Sequence, residues 1–173
     1  MHLEFPYNEK CKDQKECNIT IDIKDDMSPI MIYFKLYGFY QNHHRYIKSK
    51  TQNQLYGKNA EDVGDCGPVF TNEEMKIKEY ISINGTPLKP KDVAVPCWLM
   101  AKTYFNDTFK NWKIDGTPIT PNEANIAFPM DKKLLKNANI SKQWINMEDE
   151  LFIVWMRPAA FQIFENCGEE LMI

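Results

Sequence analysis

The segment Tyr33–Gly57 reads Y-F-K-L-Y-G-F-Y-Q-N-H-H-R-Y-I-K-S-K-T-Q-N-Q-L-Y-G, and farther on Pro96–Phe109 reads P-C-W-L-M-A-K-T-Y-F-N-D-T-F. Within and just before the first block, Ile30, Ile32, Phe34 and Leu36 alternate with Met31, Tyr33, Lys35 and Tyr37. That period of two predicts a strand ending at Gly38. The residues that follow, Phe39 to Ser49, crowd aromatic, amide and cationic side chains into a short helix or tight loop over Tyr40 to Lys48. Neither block has the residue types of an active site.

Working outward, the same reading predicts strands at about 17 to 23, where Ile19, Ile21 and Ile23 share a face, and at about 77 to 83, 107 to 114 and 150 to 157. Helical segments are expected from Pro96 to Phe105, where proline suits a first turn, and from Pro158 to Glu165. Gly116 to Asn146 reads as loop. Ile81-Ser82-Ile83 runs into Asn84-Gly85, a pair that tolerates positive φ and marks a turn. Strands joined by long loops with brief helices predict a mainly β fold, an antiparallel β-sandwich-like domain.

A chain of 173 residues with 43% apolar and 26% charged residues can bury one core, so residues 1–173 are expected to form a single domain. No stretch approaches the roughly 18 to 20 apolar residues that span a bilayer, and Met1 to Lys10 does not read as a signal sequence. The chain is therefore expected to be soluble as written and to be a fragment. A formal charge of −3 carries no electrostatic footprint for nucleic acid.

Five cysteines, Cys11, Cys17, Cys66, Cys97 and Cys167, admit a zinc site, a nucleophile or disulfides. Zinc fits poorly, since no C-x2-C or H-x3-H pair exists and C-x5-C is too long for a knuckle. Sequons at Asn18, Asn84, Asn106 and Asn139 fit an oxidising, lumenal setting, though such tripeptides also arise by chance in an Asn-rich chain. Pro87 just past the sequon at Asn84 hinders its use, leaving Asn106, Asn18 and Asn139 as glycosylation candidates, with Asn106 foremost. His43 and His44, as neighbours in sequence, cannot jointly chelate or relay a proton, and His43 is expected to be hydrogen-bonded within the Q-N-H-H-R motif. A hydrolase pairing Cys97 with His43 needs a free thiol. Trp98, Trp112 and Tyr37 break the apolar register and are expected to form a contact patch.

Together the two quoted blocks resemble the ectodomain of the cell-division-control protein fifty (Lem-three) family, the accessory β-subunits of type-IV P-type ATPases that flip phospholipids. Tyr33, Leu36, Phe39, Tyr40, Gln41, Asn42, His43, Arg45, Tyr46, Ser49, Gln54, Leu55 and Gly57 match the first family pattern. Pro96, Cys97, Ala101, Phe105, Asn106, Asp107 and Thr108 match the second. Ile126, Ala127, Asp131 and Lys132 match a third, and Phe152 to Arg157 with Ala159, Ala160 and Phe164 a fourth, all in the family's order. Trp98, Gly38, Pro158 and Gln162 depart from the pattern.

The resemblance implies disulfides Cys11–Cys17 and Cys66–Cys97, with Cys167 left over, and no cofactor or metal. It implies a non-catalytic subunit that sits lumenally or extracellularly on its ATPase, in the endoplasmic reticulum, Golgi or plasma membrane. That subunit would support the ATPase's folding, exit from the endoplasmic reticulum and lipid translocation at the membrane surface. The partner is a type-IV P-type ATPase α-subunit, or a flippase fused to another catalytic domain. Phe39, Tyr40, Gln41, Asn42, His43, Arg45, Tyr46, Phe105, Asp107 and Arg157 are the positions expected to serve the motif or the interface. Family members carry flanking transmembrane helices and a last strand pair that this chain does not contain. An open sheet edge near the strand ending at Arg157 is therefore expected. The alternative is a secreted or surface β-sandwich that binds carbohydrate or a receptor, which needs only the disulfides and sequons.

Overall fold

The computed structural model describes residues 3–24, 29–157 and 163–171. The strand anticipated from alternation forms as β1, Ile30–Tyr37, and ends where Gly38 takes a φ of +70°. It pairs antiparallel with β4, Ile163–Leu171, from Ile30 opposite Leu171 to Tyr37 opposite Ile163, with an irregularity between Ile32 and Tyr33. The alternation of β1 is real on the protein surface: Met31, Tyr33 and Tyr37 are exposed, while Ile32, Phe34 and Leu36 are partly covered. A second antiparallel pair joins β2, Lys113–Ile114, to β3, Thr117–Pro118, around Asp115 and Gly116 at φ of 47° and 81°. Two successive positive φ values are what a two-residue hairpin loop of type I′ requires.

Six short helices complete the described elements: α1 His44–Lys48, α2 Gln52–Leu55, α3 Asn72–Met75, α4 Leu99–Lys102, α5 Pro129–Leu134 and α6 Glu150–Trp155. The two separate two-stranded sheets do not make up a β-sandwich; the antiparallel pairing, short helices and disulfides are what the described residues retain of that expectation. None of these helices is long and apolar enough to cross a membrane.

Several local expectations are corrected. Residues 150 to 155 are helical where the run Phe152-Ile153-Val154-Trp155 suggested a strand. Asp149 accepts a hydrogen bond from the backbone N–H of Leu151 and caps the helix, and the spacing of Phe152, Ile153 and Trp155 buries one side of it. Among the described residues no strand ends at Arg157, so the open sheet edge expected there is not observed. Ile19, Ile21 and Ile23 are exposed and belong to no strand, because no described segment pairs with them. The 77–83 segment contributes a single bridge, Ile81 to Pro87, closed over the Asn84-Gly85 turn. The expected strand over 107 to 114 shrinks to its last two residues. The stretch from Gly116 to Asn146 holds β3 and α5 as well as loop. Of the helix expected from Pro158 to Glu165, residues 158–162 lie outside the described residues, and 163–165 are strand.

The core gathers where α4 and α6 meet the Cys66–Cys97 disulfide. Cys66, Cys97, Trp98, Met100, Met147 and Phe152 are fully buried there, and Trp155 nearly so. Trp98 is thus a core residue and not part of a contact patch. Burying large apolar side chains contributes about 1.5 to 3 kcal/mol each, which is how short elements with few mutual hydrogen bonds hold together.

Candidate functional site

After β1 the chain turns at Gly38, and Phe39 packs on Trp155 of α6, with ring centroids 5.5 Å apart, and edge-on to Tyr46 of α1 at 6.2 Å. Gln41 is buried, and α1 follows from an extended His43 whose side chain makes no capping bond. The hydroxyls of Tyr46 and Thr103 lie 2.6 Å apart and tie α1 to the end of α4. Burial pushes the Tyr46 phenol up, against the opposing effect of hydrogen bonds with Thr103 and Gln41. Tyr104 stands edge-on to Phe152 and Trp155, and burial, then the negative charges of Asp149 and Glu123, push its phenol up as well. The Trp155 indole N–H donates to the Met100 carbonyl at 2.7 Å.

Two buried polar side chains stitch the first block to the second. Ser49 donates to the Cys66 carbonyl at 2.7 Å and accepts from the Leu99 N–H at 3.1 Å. Gln54, fully buried, accepts from the Cys97 N–H at 3.2 Å and donates to the carbonyls of Ala60 at 3.0 Å and Ala94 at 3.4 Å. Both therefore bracket the Cys66–Cys97 disulfide, whose Cα atoms are 5.5 Å apart. The second disulfide, Cys11–Cys17, closes a short N-terminal loop with Cα atoms 5.4 Å apart. Cys97 consequently has no thiol to act as a nucleophile. The side chain of Cys167 lies outside the described residues.

An aromatic row links the remaining segments. Phe34 of β1 stacks on Phe109 at 4.5 Å and leans on Phe105 at 5.2 Å, and Tyr7 meets Phe109 edge-on at 5.8 Å. The Tyr7 hydroxyl donates to Asp107 at 2.7 Å; burial, then this bond and the negative charge, raise its phenol above the ordinary tyrosine range. Asp107 thus ties down the N-terminal segment. Arg157 stacks on Phe128 with its guanidinium 4.4 Å from the ring centre and pairs with Asp131 at 3.5 Å.

The motif positions therefore divide in two. Phe39, Gln41, Tyr46 and Phe105 are buried or half-buried members of the framework, whereas Tyr40, Asn42, His43, Arg45, Asp107 and Arg157 are exposed. The expected hydrogen-bonded His43 is not observed: the imidazole is exposed and leaves the helix uncapped. Arg45 is exposed too, and its guanidinium makes no hydrogen bond or ion pair among the described residues. Sequence reasoning gave no site role to Ser49, Gln54 or Thr103. The first two stand in the matched pattern; Thr103 carried no signal. Asn18, Asn106 and Asn139 are all exposed. Among the described residues no group of three or more His, Cys, Asp or Glu side chains could hold a metal ion.

Two sequence blocks joined by buried polar bridges beside the Cys66–Cys97 disulfide form a cross-linked scaffold with an exposed polar edge. The chain matches the LEM3 (ligand-effect modulator 3) family / CDC50 family over residues 4–171, and it belongs to that family. It is 34% identical to cell cycle control protein 50C of Bos taurus over 98% of this chain and 58% of the bovine protein. It is 32% identical to putative ALA-interacting subunit 2 of Arabidopsis thaliana over 88% of this chain and 44% of that protein. A protein named cell cycle control protein 50C in Macaca fascicularis is 30% identical over 88% of this chain and 49% of its own length. The chain spans about half the length of the curated relatives it matches.

Proposed function

We propose that this chain is the lumenal or extracellular domain, a single one, of an accessory subunit of a type-IV P-type ATPase phospholipid flippase. The observation that carries the reading is the family match across residues 4–171, together with relatives named as ALA-interacting subunits. In this reading the ATP site and the transport step belong to the ATPase α-subunit, alone or fused to another catalytic domain. The accessory chain supports that partner's folding, its exit from the endoplasmic reticulum and lipid translocation, and it has no catalysis of its own. The full-length protein is membrane-anchored, with this domain on the lumenal side of the endoplasmic reticulum and Golgi or outside the plasma membrane.

Within it, the buried half of the motif shapes the scaffold, and the exposed Tyr40, Asn42, His43 and Arg45 face the partner. A guanidinium that is exposed and has no hydrogen bond or ion pair among the described residues offers donors that carboxylates or backbone carbonyls of a partner can take up. Affinity capture of the full-length protein from its own membranes, followed by mass spectrometry, is expected to recover a P-type ATPase. Arg45→Ala is expected to leave the melting temperature of the chain unchanged while reducing the recovered ATPase several-fold. Capture without an ATPase overturns the accessory-subunit reading; full recovery by the Arg45 variant removes only the assignment of the motif edge.

A further inference from the structure

The structure distinguishes the sequons from one another. Asn84 is consumed by its turn: its side-chain oxygen accepts from the hydroxyls of Ser82 at 2.7 Å and Thr86 at 2.8 Å and from the Thr86 N–H at 3.2 Å. Its amide nitrogen donates to the Ser141 hydroxyl at 3.0 Å, and Ser141 is the hydroxyl residue of the Asn139 sequon. A glycan on Asn84 would be attached at the nitrogen that makes this bond. Asn139 is the opposite case. Its side-chain oxygen accepts from the Ser141 N–H at 3.0 Å and its carbonyl from the Lys142 and Gln143 N–H groups at 2.9 and 3.0 Å, which orients the amide. Its exposed side-chain nitrogen has no hydrogen-bond partner among the described residues.

Asn139 also lines an open cleft of about 260 Å³ between residues 57–61 and 138–142. Hydrogen bonds shape the two walls, and one surface ion pair spans them. Lys142 pairs with Glu61 across it, the Glu61 N–H donates to the Asn59 side chain at 3.0 Å, and the Lys58 and Asn59 N–H groups both donate to the Asn53 carbonyl. Gly57, at a φ of +68°, lies so close to the 137–138 backbone that a Cβ there would be 2.7 Å from the Asn137 carbonyl oxygen. The walls are amide, ammonium and carboxylate groups beside two alanines, a surface suited to hydroxyls and an acetamide and not to an apolar ligand.

We propose that Asn139 carries an N-linked glycan whose first N-acetylglucosamine seats in this cleft and braces residues 57–61 against 138–142, while Asn84 stays unmodified. The inference rests on the lumenal reading above, because only a lumenal chain meets the glycosylating machinery. A sugar tethered at the cleft's own rim binds at high effective concentration, so a few hydrogen bonds suffice to hold it.

Site occupancy is read by enzymatic release in heavy-oxygen water and peptide mapping of the protein isolated from its own membranes. The expected result is a modified Asn139 and an unmodified Asn84. The seat is read on this chain secreted by cells that make only high-mannose glycans. Trimming to one N-acetylglucosamine is expected to leave the melting temperature within about 1 °C, whereas complete removal, or Asn139→Gln, lowers it by roughly 2 to 4 °C. Glycans at Asn18 or Asn106 with a bare Asn139 overturn the proposal and leave the lumenal reading standing. A glycan on Asn84 overturns the assignment of that side chain to the turn. Equal melting temperatures for trimmed and fully deglycosylated protein overturn the seat. A protein with no glycan at any sequon removes the lumenal reading and this proposal with it.

Discussion

At the scale of single residues, polar side chains inside the core do as much to define this protein as the apolar ones. Gln54 illustrates the point, because its one amide serves three backbone groups from two distant stretches and lies directly beside Cys97. A glutamine was recognisable in the matched pattern, yet nothing in its neighbourhood announced burial. Its partners, Ala60, Ala94 and Cys97, lie 6, 40 and 43 residues along the chain. Replacing it with alanine strands a buried N–H and two carbonyls, each costing about 1 to 3 kcal/mol when left without a partner, less whatever water can enter. Gln54→Ala is therefore expected to lower stability by about 2 to 4 kcal/mol in urea unfolding. Gln54→Glu should do no better, since a carboxylate cannot donate to the two carbonyls. A Gln54→Ala midpoint equal to the wild type's would show that the bridge contributes nothing. Arg45, by contrast, is recognisable from the same motif and is exposed, which is why its test turns on partner capture with the melting temperature as the control.

At the scale of elements, α6 shows how a capping residue and a neighbour outweigh local propensity. Ile153 and Val154 favour strand, but Asp149 satisfies the N–H of Leu151, and burying Phe152, Ile153 and Trp155 together rewards helical spacing. Glu150, in the first turn, clamps this helix to α5. Its carboxylate accepts from Lys132 at 2.5 Å and from the Ala127 N–H at 3.0 Å. Burial works to raise its pKa, but these bonds together with one from the Asn125 N–H prevail and hold it below the ordinary value of 4.5. A depressed folded-state pKa means that the stabilisation is fully present above the unfolded value and is lost as the pH falls through the folded one. The difference in melting temperature between wild type and Glu150→Gln should thus be constant above about pH 5.5 and shrink steadily below about pH 4.5. A difference independent of pH would show that shape, not charge, holds the clamp. The β2–β3 hairpin turns on Asp115-Gly116, a pair suited to positive φ, inside a stretch where alternation and composition predict a longer strand followed by loop.

At the scale of the whole molecule, the two disulfides are not equivalent. Cys66 and Cys97 are fully buried and separated by 31 residues, whereas Cys11 and Cys17 are half-buried and separated by 6. In the chain-entropy model the larger loop contributes about 3 to 4 kcal/mol and the smaller about 2. Dithiothreitol under native conditions is expected to open Cys11–Cys17 first and to reach Cys66–Cys97 only on unfolding. The paired change of Cys66 and Cys97 to serine should cost about 3 to 4 kcal/mol, against about 2 for Cys11 and Cys17. Peptide mapping that found the buried bridge reduced first would contradict this ordering.

What the sequence by itself determined is the family, the two cysteine pairings that the family implies, β1, the Asn84-Gly85 turn and the places where α1 and α4 form. Each of these is written in a contiguous motif or a short-range period, and needs no distant partner to be recognised. Only the tertiary structure decided that the motif splits into a buried framework and an exposed edge, that Trp98 belongs to the core, that residues 150 to 155 form a helix and that the three exposed isoleucines near residue 20 join no strand among the described residues. Those outcomes depend on which long-range neighbours cover a side chain. Alternation or β-branching states only a preference of about 1 kcal/mol or less per residue, and burial of a large side chain against a distant segment exceeds it.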